Sequence, residues 1–176
     1  FSYKDKNFNT NLYGDFNLYN TLAIVKTLEI LKIKNTEDII NNLKLPKGRI
    51  QKVRDKNIFI DYAHTPDAVF NVLKTARKFT KGNVYCIVGS GGNRDKKKRS
   101  EMGYIASVNS DILILTTDNP RFEEPIEIIY DMMEKIGKNN VIIIPDRKKA
   151  ISYGVSNIKK DDSLFILGKG HENYQE

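Results

Sequence analysis

Reactive side chains in this chain gather in a few short polar segments. Asp118-Asn119-Pro120-Arg121 sets a carboxylate, an amide and a guanidinium around a rigid proline. A guanidinium holds a carboxylate through two parallel hydrogen bonds, and Asp or Asn oxygens accept from an ammonium, so this segment is equipped for the zwitterionic end of an amino acid. On its own it fits a proline turn with solvent-facing charges as well. In Gly89-Ser90-Gly91-Gly92-Asn93 the glycines permit close backbone approach, and Arg94 to Arg99 add five cations against one anion. That composition suits an anionic ligand. It is neither a Walker A loop nor the dinucleotide fingerprint, whose third glycine position holds Arg94, and a tight turn beside a solvated lysine run is an equal reading.

His64 and His171 are the two histidines, in DYAHTPD (residues 61–67) and GKGHE (residues 168–172). Neither segment offers a serine or cysteine that would complete a nucleophilic triad. Glu172 and Asp61 could join them around a metal, but the spacing does not demand one and none is expected here. Asp61 and Asp67 can each orient a ligand hydroxyl or cap a helix beginning near Pro66, and for Asp67 the cap is the better reading.

The composition narrows the rest. With 176 residues, 40% hydrophobic and 29% charged, the chain is long enough for one domain and part of another, and is no fibre, disordered tail or disulfide mini-protein. The apolar runs are far shorter than the ~20 residues of a membrane span, so a soluble, cytoplasmic protein is expected. A single cysteine, Cys86, agrees with a reducing compartment. The net charge of +7 suggests an anionic partner without choosing among nucleic acid, a membrane surface and a phosphorylated ligand. An opening at Phe1 rather than methionine raises the expectation of a piece of something longer.

Apolar, β-prone runs at 58–63, 84–88, 112–116, 141–144 and 164–167 alternate with helical stretches at 66–79, 99–107, 125–136 and 147–158. Continuous apolar runs mark strands buried on both faces, and the spacers are long enough for helical crossovers. This predicts an α/β fold: a doubly wound, mainly parallel sheet of about five or six strands with helices on both faces. The polar segments, with Pro145 to Lys149 as a fifth, all follow strands and should line one ligand crevice at the carboxyl edge. Lys81-Gly82-Asn83 and Asn139-Asn140 read as plain turns at the opposite edge. Upstream, Leu18, Leu22, Val25, Leu28 and Leu31 form a helical stripe, and Thr36 looks like the N-cap of a second helix. Pro46-Lys47-Gly48 breaks the pattern and predicts two domains, 1–47 and 48–176.

In combination, GDFNLYN (14–20), Gly48-Arg49, IDYAHTPDA (60–68), GSGGNRDKKKR (89–99), MGYIA (102–106), TDNPR (117–121), Asp146-Arg147 and GKGHENYQ (168–175) resemble the Mur ligases, in order and over nearly the whole chain. The resemblance implies an ATP-dependent amide ligase of three domains, here the end of the central ATP-binding domain and most of the C-terminal, Rossmann-like one. It implies a reaction of peptidoglycan synthesis in which meso-diaminopimelate is joined to UDP-N-acetylmuramoyl-L-alanyl-D-glutamate through an acyl phosphate. It places ATP near Asn17, Asn20, Arg49, Asp61 and His64, and the amino acid near Arg94, Asp118, Asn119, Pro120, Arg121, Gly168 and Glu172. No catalytic residue is assigned within these positions. The phosphate-binding glycine loop and the Mg2+ ligands are expected elsewhere in a longer chain, leaving this portion inactive alone, and neither nucleic acid nor membrane is an expected partner. The motifs depart from the family pattern at Gln51, Asn93 and Ser100, where glutamate, aspartate and proline are common. Competing readings are a related ligase adding lysine or lanthionine, and a non-catalytic nucleotide- or RNA-binding module. The basic run contains none of the aromatics that RNA recognition favours.

Overall fold

The computed structural model describes residues 1–10, 12–54, 56–137 and 140–175; Asn139, in one of the expected turns, lies outside them. The chain divides into two compact units, Phe1–Pro46 and Lys47–Glu176. The first holds a short antiparallel hairpin, β1 (Ser2–Tyr3) and β2 (Lys6–Asn7), and helices α1 (Asp15–Ile30) and α2 (Thr36–Asn41). The face that α1 buries takes in only part of the leucine stripe, Val25 with Leu28 packed beside it. Asn17, Thr21 and Val25 are buried, whereas Leu18 and Leu31 are exposed. The polar pair tolerates burial because Asn17 Nδ2 donates to Tyr13 O at 2.7 Å and Thr21 Oγ1 to Asn17 O at 2.7 Å. Thr36 begins α2 rather than capping it; Asn35, left-handed at φ 62°, precedes it as the cap.

The second unit is built on one six-stranded sheet in the order β3-β4-β8-β5-β6-β7. Its strands are β3 (Gln51–Lys52), β4 (Ile58–Ile60), β5 (Val84–Val88), β6 (Ile112–Leu115), β7 (Val141–Ile143) and β8 (Ser163–Ile166). All pairings are parallel except β3 with β4. The connecting helices are α3 (Pro66–Phe79), α4 (Lys97–Asn109), α5 (Pro125–Met133) and α6 (Arg147–Asn157). From β4 to β7 the chain steps outward and returns through α6 to place β8 between β4 and β5. Right-handed crossovers therefore set α3, α4 and α5 on one face and α6 on the other. Helices packing on both faces explain why β5 is buried at all five positions. Cys86 sits there, and burial pushes its thiol pKa up.

Side chains alternate as the pleat requires. Ile58, Ile87, Ile114, Leu164 and Ile166 meet Ala150, Ile151 and Val155 of α6. On the opposite face Phe59 stacks on Phe165 with centroids 4.8 Å apart, and Phe79 closes the group 5.2 Å from Phe59. Local signals start the helices: Thr65 Oγ1 accepts from Ala68 N ahead of Pro66, and Asp146 Oδ1 accepts from Lys149 N. Thr65, not Asp67, caps α3. Asp67 instead accepts from Asn71 Nδ2 one turn on.

α4 and α5 touch backbone to backbone. A Cβ added at Gly103 would stand 2.0 Å from Met132 O. Gly103→Ala gains about 1 kcal/mol of helix propensity but overpacks this crossing at a cost of about 1–3 kcal/mol. The urea midpoint should therefore fall; a rise would show that the helices are free to part.

Candidate functional site

The carboxyl ends of β4, β5, β6 and β8 open into one cleft of about 470 Å³. It is lined by Tyr62, His64 and Thr65 after β4, Gly89 to Gly91 with Arg94, Asp95 and Lys98 after β5, Asp118, Asn119 and Arg121 after β6, and Gly168 and Glu172 after β8. Four of the five polar segments thus converge. The fifth, after β7, is turned away: Arg147 is buried, donates from Nη2 to Leu167 O at 2.8 Å, and lines a separate apolar groove beside α6. Burial lowers its pKa against the pull of Asp118 and Glu172.

Main-chain atoms form much of the floor. Gly168, at φ 107°, leaves 2.6 Å between its missing Cβ and Asp118 Oδ2, and a Cβ at Gly89 would lie 2.3 Å from Thr116 O. The acidic wall is held from beneath by Lys169, which is 8% exposed. Its Nζ donates to Asn119 Oδ1 at 2.7 Å and stands 3.5 Å from Glu172 and 4.0 Å from Asp118. Tyr62 Oη donates to Glu172 Oε1 at 3.2 Å; burial and then that carboxylate raise the phenol's pKa. An ideal Cβ at Gly91 would stand 3.0 Å from Arg121 Nη1 and 3.7 Å from Arg94 Cγ, so both arginine side chains converge on this glycine. The result is one cleft lined by carboxylates, an amide and guanidinium groups together.

The glycine-rich loop and the loop after β6 are sewn together. Gly92 N donates to Asn119 O at 2.8 Å, Arg121 Nη1 to Gly92 O at 2.9 Å, and Phe122 N to Asn93 Oδ1 at 3.2 Å. A Cβ at Gly92 would meet Pro120 O at 1.9 Å, which fixes Pro120 as a wall of the glycine loop. Asn93, at a departure from the motif, is left-handed at φ 52°, a conformation that Asn and Asp both tolerate. Arg99 is not displayed to an anion as its place in the basic run suggests. It is 0% exposed, with Nη1 2.8 Å from both Glu123 Oε2 and Asp131 Oδ2 and Nη2 2.8 Å from Glu123 Oε1. Lys96 lies 3.6 Å from Glu123 and Lys98 4.0 Å from Asp95, so part of the local charge is spent internally.

Asp61 is also turned inward. It is 5% exposed, and its Oδ2 accepts from Ile50 N at 2.7 Å while Oδ1 accepts from Ala63 N at 2.8 Å. Burial raises its pKa; the two N–H groups and Arg49 oppose that. Ile50 is held at φ 41°, an uncommon conformation for a β-branched residue, and this hydrogen bond helps keep it there. Gln51 Oε1, at another departure, accepts from Gly48 N at 2.8 Å. Exposed Arg49 lies 4.9 Å above the Tyr62 ring, and His64 packs edge-on against that ring with Nδ1 2.8 Å from Tyr62 O. Tyr62 thus joins the Arg49 and His64 group to Glu172. Asn17 and Asn20 belong to the first unit, where Asn20 Nδ2 donates to Asn17 Oδ1 at 3.2 Å. Among the described residues no three His, Cys, Asp or Glu side chains converge as a metal would need. Nor is any helix among them long and apolar enough to cross a membrane.

The description "Mur ligase, glutamate ligase domain" matches residues 48–170. The chain belongs to the Mur ligase family. A UDP-N-acetylmuramoyl-L-alanyl-D-glutamate–2,6-diaminopimelate ligase of Aquifex aeolicus (strain VF5) is 48% identical over 184 aligned positions, covering all of this chain and 37% of that protein. A relative of the same name, numbered 1, from Clostridium acetobutylicum is 44% identical, covering 94% of this chain and 36% of the relative. A solved structure of a diaminopimelate ligase of that name superposes with a TM-score of 0.73 at 36% identity, over 96% of this chain and 36% of that one. This Mur ligase chain therefore spans a little over a third of the length of the relatives it matches.

Sequence reasoning passed over Tyr62, Lys169, Arg99 and Glu123. A signal for Arg99 was present: it leads Met102, Gly103 and Ala106 at steps of three and four, the inward stripe of α4. Arg99 first, then the Asn93 N–H, holds the Glu123 carboxyl down to about 2, against 4.5 for an ordinary glutamate. Because the folded value is the lower, the tie contributes fully above pH 4.5 and is lost as pH falls through about 2. Carbon-detected NMR titration should find the Glu123 carboxylate ionised at pH 3; a midpoint near 4.5 would show the tie absent.

Proposed function

We propose that this chain is the amino-acid-accepting part of an ATP-dependent, ADP-forming ligase of the MurE branch, which joins meso-diaminopimelate to UDP-N-acetylmuramoyl-L-alanyl-D-glutamate in the cytoplasm. The observation that supports this most directly is the mixed charge of one cleft, which Asp118, Asn119 and Glu172 line together with Arg94 and Arg121. A diamino acid with a carboxylate at each end satisfies both kinds of group. Lysine, which lacks the distal carboxylate, leaves a guanidinium unmatched.

In this reading Arg121 and Arg94 hold a carboxylate, Asp118, Asn119 and Glu172 accept from an ammonium, and Gly168 and Pro120 shape the space between. Phe1–Pro46 is the end of the central ATP-binding domain, and Asn17, Asn20, Arg49, Asp61 and His64 serve the nucleotide, Asp61 partly through the 48–50 backbone that it anchors. ATP supplies the phosphoryl group that converts the D-glutamyl side-chain carboxylate into an acyl phosphate, releasing ADP. The amine then attacks the acyl carbon, a C–N bond forms, inorganic phosphate leaves and the nitrogen gives up a proton. The residues of this cleft contribute orientation: they fix the diamino acid so that its free amine meets the activated carbonyl, the entropic part of catalysis. The ligands of the Mg2+ that accompanies ATP are assigned outside this chain, in line with the absence of any group of three His, Cys, Asp or Glu side chains among the described residues.

The complete enzyme, given UDP-muramoyl dipeptide, ATP, Mg2+ and a panel of amines, should release ADP with meso-diaminopimelate and far less with lysine. ADP release indifferent to diaminopimelate overturns the proposal. Arg121→Ala should lower kcat/KM for meso-diaminopimelate by roughly 10- to 100-fold, the value of lost hydrogen bonds to a charged group, and use of lysine by less than about threefold. Equal losses for both would remove Arg121 from recognition.

A further inference from the structure

Arg99 and Glu123 carry an inference that rests on the proposed assignment of Arg94 and Arg121 to amino-acid recognition. Arg99 is wholly buried on α4 and spends three short hydrogen bonds on Glu123 and Asp131. A fourth contact, Nη2 to Gly91 O at 3.3 Å, reaches the glycine-rich loop itself. Glu123 in turn accepts from the backbone N–H of Asn93, the residue immediately before Arg94. One carboxylate on the loop that carries Arg121 thereby fixes the turn that carries Arg94.

Only the guanidinium is buried, with Glu123 and Asp131 keeping 19% and 40% of their side chains exposed, and the desolvation of that cation offsets part of the attraction, so such ties are a poor way to gain stability. What the cluster does supply is direction, because the planar guanidinium meets both carboxylate oxygens of Glu123 and admits one arrangement. Asp131 is the informative contrast: it shares Arg99 but belongs to α5, outside both loops.

We infer that Arg99 is a positioning residue which, through Glu123, sets the spacing of Arg94 and Arg121 and so the affinity of the cleft for the carboxylate of a diamino acid. In the full-length enzyme Glu123→Gln raises KM for meso-diaminopimelate by on the order of tenfold, as expected for weakened charge-assisted hydrogen bonds, and leaves kcat and KM for ATP within about twofold. Asp131→Asn leaves all three within about twofold. Amide hydrogen exchange at Asn93 accelerates in Glu123→Gln and stays at the wild-type rate in Asp131→Asn. Should Glu123→Gln fail to fold, Arg99→Lys, which keeps the charge but loses the fork, speeds Asn93 exchange in the same way. Equal effects of Glu123→Gln and Asp131→Asn, or a parallel change of kcat and every KM, reduce the pair to ordinary packing and overturn the inference. An enzyme that does not use meso-diaminopimelate at all defeats the functional proposal instead, and the Asn93 exchange comparison still decides whether the tie positions the loop.

Discussion

The insertion of β8 between β4 and β5 is the constraint on which the rest of the site depends. β8 is last in sequence yet pairs in parallel with both neighbours, Phe59 with Phe165 on one side and Cys86 with Phe165 on the other. All four of its residues are buried, and so is Leu167, which continues the strand into the loop. This placement delivers Gly168, Lys169 and Glu172 between the segment after β4 and the glycine-rich loop after β5. Were β8 at a sheet edge, Lys169 could not lie under Asn119, and Tyr62 could not reach Glu172.

Three buried cations divide the work beneath the cleft. Lys169 lies under the acidic wall, Arg99 ties two loops of the cleft, and Arg147 pins the Leu167 carbonyl as β8 leaves the sheet. Each meets an acceptor, as a desolvated charge must: the Asn119 amide oxygen, the partly exposed carboxylates of Glu123 and Asp131, and the Leu167 carbonyl. None is a plain surface lysine of the kind that a net charge of +7 brings to mind. Part of the positive charge that the composition counts is thus spent inside the fold.

Much of this architecture is legible in the residues alone. The continuous apolar runs located five strands to within two or three residues, and Pro66 and Pro125 marked two helix starts. The parallel order followed from spacer length. Where sequence reasoning fell short, the physical cause is specific. β3 is two exposed residues, Gln51 and Lys52, whose strand character comes only from pairing with β4. The burial of Asn17 and Thr21 depends on side chains bonding back to their own helix, which hydropathy cannot register. Arg99 was masked by the lysines before it, although helical spacing ranked it with Met102 and Ala106. The polar cleft residues were legible because each stood next to a strand end, and Lys169 escaped because a lysine between two glycines reads as solvent-facing.

The main-chain floor bears on how such a site can diverge. A side chain at Gly89 or Gly92 would have to displace backbone, and one at Gly168 would have to displace the Asp118 carboxylate from a left-handed position. Exposed Phe122, by contrast, projects from the loop tip with 95% of its surface in solvent, and Lys98 stands at the cleft with most of its side chain exposed. Mutational drift is therefore channelled: the rim can change residue by residue, sampling new ligands at little structural cost, while the floor admits almost no intermediate steps. A family built on this plan is free to diversify in what it accepts long before it can diversify in how it is held.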